Sequence, residues 1–369
     1  MPLNSNRAII ACAGSGKTTF VVQKAIKQTS GRVLITTYTN ENIDQIKDCL
    51  IEHNGYIPEN IEIMQWSTFL LQEGVRPYQN QLSNTPRVRS IYFQTGASVF
   101  LRKDQYFTSS NDIYSNKLSE FVYECNQKSG GLVTKRLEKI YSHIFIDELQ
   151  DFAGYDLNVV ENLFSSGMQI VVVGDPRQAT FSTNYAAKNK QFRRSKIIDW
   201  LKEQTTKQSL TIKNLQVSYR CNKPICDFAN KLFPHYSEST SENKSDTEHD
   251  GLFLVSNKEI DEYIKKYHPK ILRYDKRTKT GGYPAINIGI SKGRTFDRIL
   301  IFPTGKMLTY LKTGNLSLAG DITKFYIAVT RARHSVAFVV PPSTRSEMIQ
   351  WWESEHSERC ENSTETNKN

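Results

Sequence analysis

Apolar residues in this chain gather in short unbroken runs, and the runs end in turns rich in Gly, Asp, Thr or Asn. Residues 8–12, 32–36, 143–146 and 169–173 read this way in the first half, and 252–255, 298–302 and 335–340 in the second, while 61–68, 270–274 and 285–290 read as strands interrupted by polar residues. Runs without polar alternation mark strands covered on both faces. Between them the spacing turns helical. Ile43, Ile46 and Leu50 share one face, residues 224–232 begin with Pro224 in a first turn, and residues 325–334 read as a helix carrying Arg331 and Arg333. Strand and helix in repeated succession predict an α/β fold of parallel sheets covered by helices.

Three segments depart from this rhythm. Residues 74–135 are irregular, with Tyr92, Phe93, Phe100, Tyr106, Phe107 and Tyr114 among interleaved Arg and Lys. They read as a small insertion whose aromatics either form its own core or face a single nucleic-acid strand. Residues 235–250 are almost free of apolar side chains and read as a mobile loop, and the residues beyond Trp352 as a polar tail. The expected domains are 1–203, with the insertion inside it, and 204–345, followed by a tail at 346–369.

Charge narrows the list of partners. Lys and Arg number 48 against 38 Asp and Glu, a net charge of +10, which favours polyanionic partners, the alternative being a merely basic soluble protein. The six cysteines are scattered, with no C-x-x-C pair and no His at metal-ligand spacing, so a disulfide framework and a zinc site are not expected. No secretory leader or membrane-length apolar run is present, and the expectation is a soluble, cytoplasmic protein with no membrane partner.

The candidate chemistry lies at the ends of the runs. In Ala11-Cys-Ala-Gly-Ser-Gly-Lys-Thr18 a strand breaks into a Gly-rich turn and a helix begins. Gly14 and Gly16 let backbone N–H groups approach phosphate oxygens, with Ala13, Ser15 and Thr19 completing the loop. Lys17 supplies a point charge near the β- and γ-phosphates and the Thr18 hydroxyl is suited to Mg²⁺, so ATP and Mg²⁺ are the expected ligands. The run 143–146 delivers Asp147 and Glu148 side by side. Asp147 is suited to hold Mg²⁺, and Glu148 to polarise the water that attacks the γ-phosphate. Gln178, after the run 169–173, is placed to report on that phosphate. Tyr38, Thr39 and Asn40 sit at the carboxyl edge of the expected sheet, either contacting a nucleic-acid strand or simply capping a helix. Phe181 and Tyr185 lie in the stretch 179–194 with four positive charges, Lys188, Lys190, Arg193 and Arg194, and could stack on bases.

Taken in order, these stretches resemble the superfamily 1A helicases of the UvrD/Rep/PcrA group. The phosphate loop resembles A-G-A-G-S-G-K-T, Ile35-Thr-Thr-Tyr-Thr-Asn40 the motif after the second strand, Asp147-Glu-Leu-Gln-Asp151 the motif D-E-x-Q-D, and Gly174-Asp-Pro-Arg-Gln178 the motif G-D-x-x-Q. Ser218-Tyr-Arg220 is similar to N-Y-R, Ser291-Lys-Gly-Arg-Thr-Phe-Asp297 to S-K-G-L-E-F-D, and Ile327-Ala-Val-Thr-Arg-Ala-Arg333 to V-A-L-T-R-A-R. The resemblance implies two RecA-like P-loop NTPase domains with ATP in a cleft between them. Tyr219 would stack on adenine, Arg220 and Arg331 would act as arginine fingers, and Gly293 would approach the γ-phosphate. It also implies 3′-to-5′ movement on single-stranded or tailed duplex DNA. A nuclease or repair protein as partner is the alternative setting, in which the chain serves as a DNA-sensing ATPase switch.

Departures from the family are visible as well. No adenine-reading Gln stands clearly before the phosphate loop. Phe181 and Thr183 replace the usual Tyr and Trp, and Thr295 replaces an acidic residue. Only about 70 residues separate Arg220 from Ser291, too few for the family's large helical insertion, so strand separation is expected to be weaker than translocation.

Overall fold

The computed structural model describes residues 6–93 and 105–353. The chain divides into two compact units, Met1–Ala11 with Gly16–Leu215 and Cys12–Ser15 with Gln216–Asn369.

The first unit is built on a six-stranded sheet. Its order is Ile61–Gln65, Val33–Thr37, His143–Ile146, Gln169–Gly174, Asn6–Ala11 and Leu210–Leu215, and every neighbouring pair is parallel. The unbroken apolar runs explain the burial. Val33–Thr37 is buried at all five positions because helices cover both faces of the sheet. One face packs with Val21, Val22, Ile46 and Leu50 of the helices Lys17–Ile26 and Asn40–Asn54, and the other with a larger cluster that includes Trp66, Phe69, Phe121 and Trp200.

The irregular stretch 74–135 contributes to that larger core. Phe121 of the helix Leu118–Lys128 has no exposure, and Tyr106 and Phe107 meet it edge-on at 5.0 and 5.2 Å. Of the two readings offered for these aromatics, core packing applies to Tyr106 and Phe107, while Tyr92 and Phe93 are exposed; Phe100 lies outside the described residues. Gly74 lets the helix approach closely, since a Cβ there would fall 2.7 Å from the Val122 side chain.

The second unit repeats the plan. Its parallel sheet runs Ile286–Asn287, Lys270–Arg273, Phe296–Phe302, Ala332–Val340, Gly251–Ser256 and Gln350–Trp351. In the first sheet Asn6–Ala11, which leads into the helix Lys17–Ile26, stands second from one edge, and in the second sheet Gly251–Ser256, which leads into the helix Ile260–Tyr267, does the same. The α/β fold with two parallel, helix-covered sheets is as the sequence leads one to expect.

Four boundaries differ from the sequence reading. The first unit extends past residue 203, because Leu210–Leu215 pairs along its length with Asn6–Ala11. The helix expected over 325–334 is Ile322–Val329, and Ala332–Val340 is already strand, so Arg331 sits at the junction and Arg333 on the strand. The start of the expected tail is structured: Gln350–Trp351 pairs with Gly251–Ser256 and Trp352 is buried. Residues 354–369 lie outside the described residues. Finally, residues 235–250, read from sequence as a loop, carry hydrogen bonds and one short strand pair. Asn230 bonds the Ser239 backbone through both side-chain groups, Asn243 Nδ2 donates to the Arg220 carbonyl at 2.7 Å, and Thr240–Ser241 pairs with Val217–Ser218.

Candidate nucleotide and nucleic-acid sites

The loop after Asn6–Ala11 turns twice through left-handed backbone, at Gly14 with φ +75° and at Gly16 with φ +74°. Side chains with a Cβ enter that region only at a cost. Gly16 is the N-cap of the helix Lys17–Ile26, so Lys17 and Thr18 occupy its first turn, where unpaired N–H groups and the positive helix end favour an anion.

Within the first unit, Lys17 Nζ lies 3.2 Å from Glu148 Oε1, with both side chains largely buried. Glu148 follows the strand His143–Ile146 and holds φ +58°, a conformation uncommon for a residue with a side chain and of the kind stored at functional sites. Asp147 is buried, and its Oδ1 accepts from the Glu148 N–H at 2.9 Å. The structure therefore brings Lys17, Asp147 and Glu148 together, as expected. Thr18 and Asp147 offer a hydroxyl and a carboxylate, hard oxygen donors of the sort Mg²⁺ accepts when phosphate and water complete its shell. Among the described residues no group of three or more His, Cys, Asp or Glu could hold a metal unaided. That donor set fits an ion that arrives with a nucleotide.

Gln178 is buried and its Nε2 donates to Asp175 Oδ2 at 2.8 Å. It belongs to a network that sequence reasoning missed. Gln150 Nε2 donates to Glu148 Oε2, and Gln150 Oε1 accepts from the Asp175 N–H at 3.0 Å. Asp175 in turn accepts from Arg177 Nε at 2.8 Å, and Arg177 reaches the Ala11 carbonyl at 3.3 Å. Gln150 thus couples the proposed base to the turn carrying Gln178. Gly174 is required beside it, since a Cβ there would fall 2.6 Å from Gln150 Oε1. Only the fixed Gln within D-E-x-Q-D hinted at this.

Within the second unit, residues 12–15 are held by the segment 218–220. The Ala13 carbonyl accepts from Ser218 Oγ at 2.9 Å, the Gly14 carbonyl accepts from the Tyr219 N–H at 2.9 Å, and the Ala13 N–H donates to Tyr326 Oη at 3.2 Å. A Cβ on Gly14 would fall 2.6 Å from Arg220 Cβ, so glycine is needed here for close approach as well as for its φ. Ser15 Oγ is buried without a hydrogen-bond partner among the described residues. The Tyr219 ring is 65% exposed, free to stack on a planar ligand. Arg220 Nη1 donates to the Thr330 carbonyl at 3.2 Å. Arg331 is buried, with Nε donating to the Ile327 carbonyl at 3.1 Å and Nη1 to the Arg294 carbonyl at 3.4 Å. Gly293, with φ +83°, sits in the exposed turn beside Arg294. Thr19, in the first unit, accepts from Cys49 Sγ at 3.9 Å.

The residues singled out for a nucleic-acid strand separate into two groups. Thr39 Oγ1 caps the helix Asn40–Asn54 by accepting from the Asn42 N–H, and Asn40 Oδ1 accepts from Gln65 Nε2 at 2.8 Å. Tyr38, by contrast, packs on Phe181 with ring centroids 5.1 Å apart, and Phe181 and Tyr185 are exposed. Burial, with Asp156, Tyr185 and Asp151 adding like-sign repulsion, pushes the Tyr38 phenol up to about 12. Beneath this patch lies a second network absent from the sequence reading. The fully buried Asp156 accepts from Trp66 Nε1 at 2.7 Å and from Thr183 Oγ1 at 2.5 Å, and burial raises its carboxyl to about 6. Thr183, which stands where the sequence resemblance implied an indole, is therefore a support for the patch. Tyr38, Trp66, Phe93, Asp156 and Thr183 line one crevice.

Comparison with known proteins follows the same lines. The family described as AAA domain matches residues 3–184. A protein of Acanthamoeba polyphaga mimivirus described as "Putative ATP-dependent DNA helicase" is 26% identical over 237 residues, which cover 61% of this chain and 28% of that protein. Among solved structures, Arterivirus nonstructural protein 10 (helicase) is similar with a TM-score of 0.48 and 15% identity, covering 93% of this chain and 62% of that one. The complex of that helicase with DNA gives 0.47, 14%, 92% and 61%. This chain thus spans less than a third of the mimivirus protein and under two thirds of the viral helicase chains. No helix among the described residues is long and apolar enough to cross a membrane.

Proposed function

We propose that the chain is an ATP-hydrolysing, DNA-directed motor of superfamily 1, with UvrD-like movement from 3′ to 5′ on single-stranded DNA. The observation carrying the ATPase part is the Lys17–Glu148 pair, which joins the phosphate-loop lysine to a carboxylate at the end of a buried strand. The mimivirus likeness supports the DNA-directed part.

In this reading the N–H groups of the first turn after Gly16 and the Lys17 ammonium bind the β- and γ-phosphates. Thr18 and Asp147 hold Mg²⁺, which neutralises charge on the phosphate oxygens. Lys17 then exchanges Glu148 for phosphate. Glu148, held from its other oxygen by Gln150, takes up a water and accepts its proton as that water attacks the γ-phosphorus. Gln178 senses the phosphate through the Asp175–Gln150 network. Tyr219 stacks on adenine, Gly293 lines the phosphate side, and Arg220 and Arg331 stabilise the charge that develops on the transferred group. Tyr38, Phe181 and Tyr185 stack on bases of the bound strand.

Strand separation is a distinct property. Between Arg220 and Ser291 the described chain makes the helices Lys223–Leu232 and Ile260–Tyr267, short strands and one 3-10 turn at Ile288–Ser291, with no added subdomain. That observation favours a second reading, an ATPase switch responding to DNA within a nuclease or repair assembly. A strand-displacement assay on a tailed duplex separates the two. Displacement driven by ATP supports the motor; hydrolysis stimulated by single strands without displacement supports the switch.

A further inference from the structure

Of the surfaces that the ATPase reading leaves unused, the most developed is a basic depression on the first unit. Three guanidinium groups, Arg76, Arg87 and Arg136, line an open hollow of about 570 Å³ together with Gln72 and Asn80. No carboxylate and no aromatic ring lines it.

The hollow is built on a fixed frame. The buried Gln79 clamps the loop that presents Arg87, because its Nε2 donates to the Thr85 and Pro86 carbonyls at 3.0 and 3.2 Å and its Oε1 accepts from the Val88 N–H at 3.0 Å. Arg76 fastens the next residues, with Nε donating to the Val88 carbonyl and Nη2 to the Arg89 carbonyl. Arg136 is oriented by Glu73, 2.5 Å from its Nη1. Arg87 is exposed and makes no hydrogen bond or ion pair among the described residues. Glu73 thus offsets the charge of Arg136 from outside the lining, and the polar frame is satisfied without the Arg87 guanidinium.

We infer that this hollow binds the sugar–phosphate backbone of double-stranded DNA. The argument is one of chemistry by contrast. Planar guanidinium forks match phosphate oxygens, and a hollow wider than one anion suits a row of them. Bases of a single strand would look for ring faces to stack on, and those lie at Tyr38, Phe181 and Tyr185. A duplex hides its base faces in the stack and presents a regular row of phosphates along its outside. The two surfaces share one support, the turn Leu70–Val75. Leu70 lines the crevice under the aromatic patch, and Gln72 and the following Arg76 line the hollow. A tailed duplex would thus find both of its parts met on one unit: the tail on rings, the paired region on arginines.

This inference rests on the DNA-directed reading above, and the experiment separates the two. Fluorescence anisotropy compares wild type, Arg87→Ala and Arg87→Glu with a single-stranded oligonucleotide and with a duplex bearing the same strand as a 3′ tail, at several KCl concentrations. The expected result is a several-fold fall in the ratio of tailed-duplex to single-strand affinity in Arg87→Ala, a larger fall in Arg87→Glu, and a salt slope on the tailed duplex shallower by about one for the alanine variant. Equal losses on both substrates would make the hollow a single-strand contact and overturn the inference. Unchanged binding to both would overturn it too while leaving the DNA-directed reading intact. If wild type binds neither substrate, both fall.

Discussion

Glu148→Gln separates the two roles given to this carboxylate, because the nucleotide and Glu148 compete for the same ammonium. At 3.2 Å the gross attraction between Lys17 and Glu148 is about 5 kcal/mol with an effective dielectric constant near 20. Both side chains are close to nine-tenths buried, so desolvation offsets much of that. A glutamine amide keeps a neutral acceptor for Lys17, roughly half as strong as the charged one. The net release from substitution is then about 1–2 kcal/mol, which appears as nucleotide binding tighter by about five- to thirty-fold. Turnover should stop, since an amide cannot accept the water's proton. Calorimetric titration with a non-hydrolysable ATP analogue and Mg²⁺ measures the first effect, and phosphate release measures the second. Binding that is unchanged or weaker in Glu148→Gln would refute the competition, and persistent turnover would assign the base to another group.

Two further perturbations reach other parts of the account. Phe181→Ala removes an exposed ring that packs on Tyr38 at 5.1 Å, and single-strand affinity measured by anisotropy should fall by about five-fold or more, as stacking contributes about 1–3 kcal/mol per base; unchanged affinity would remove the aromatic patch from the strand path. In the second unit His249 is sandwiched between Phe253 and Tyr267 at 3.9 and 3.8 Å, and burial, assisted by Arg298, lowers its imidazole from 6.5 to about 4. The unfolded chain binds that proton more readily, so the contribution is present above pH 6.5 and is lost as pH falls toward 4, with a magnitude on the order of 2–3 kcal/mol. Urea unfolding of wild type and His249→Phe between pH 7 and 4.5 should show a smaller acid loss in the variant; parallel curves would contradict the assignment.

What could be read from the sequence follows from what hydropathy records. Buried central strands such as Val33–Thr37 and Gln169–Gly174 announce themselves because every position is apolar or nearly so. The edge strand Leu210–Leu215 exposes Thr211, Asn214 and neighbours, leaves no unbroken run, and so shifted the expected boundary. Residues 235–250 looked loose because their order comes from the amides of Asn230 and Asn243, which polarity scales count as solvent-facing. At the site, the phosphate loop and the Asp147–Glu148 pair were each legible as a contiguous motif, and the structure sets Lys17 3.2 Å from Glu148. Partners far apart in the chain were hidden: Trp66 and Asp156 are 90 residues apart, and no local pattern connects an indole after one strand to a carboxylate in a later helix. Arg331, read as sitting on a helix, is at a helix–strand junction because the helix Ile322–Val329 ends two residues earlier and Ala332–Val340 begins the strand.

Everything in this account depends on a nucleotide triphosphate being hydrolysed at Lys17 in response to DNA. Phosphate release by the full chain with ATP and Mg²⁺, measured with and without a single-stranded oligonucleotide in wild type and Lys17→Ala, tests it directly. The account predicts hydrolysis that rises with the oligonucleotide and disappears in the variant. Hydrolysis in Lys17→Ala near the wild-type rate, or none by wild type with DNA present, would contradict it.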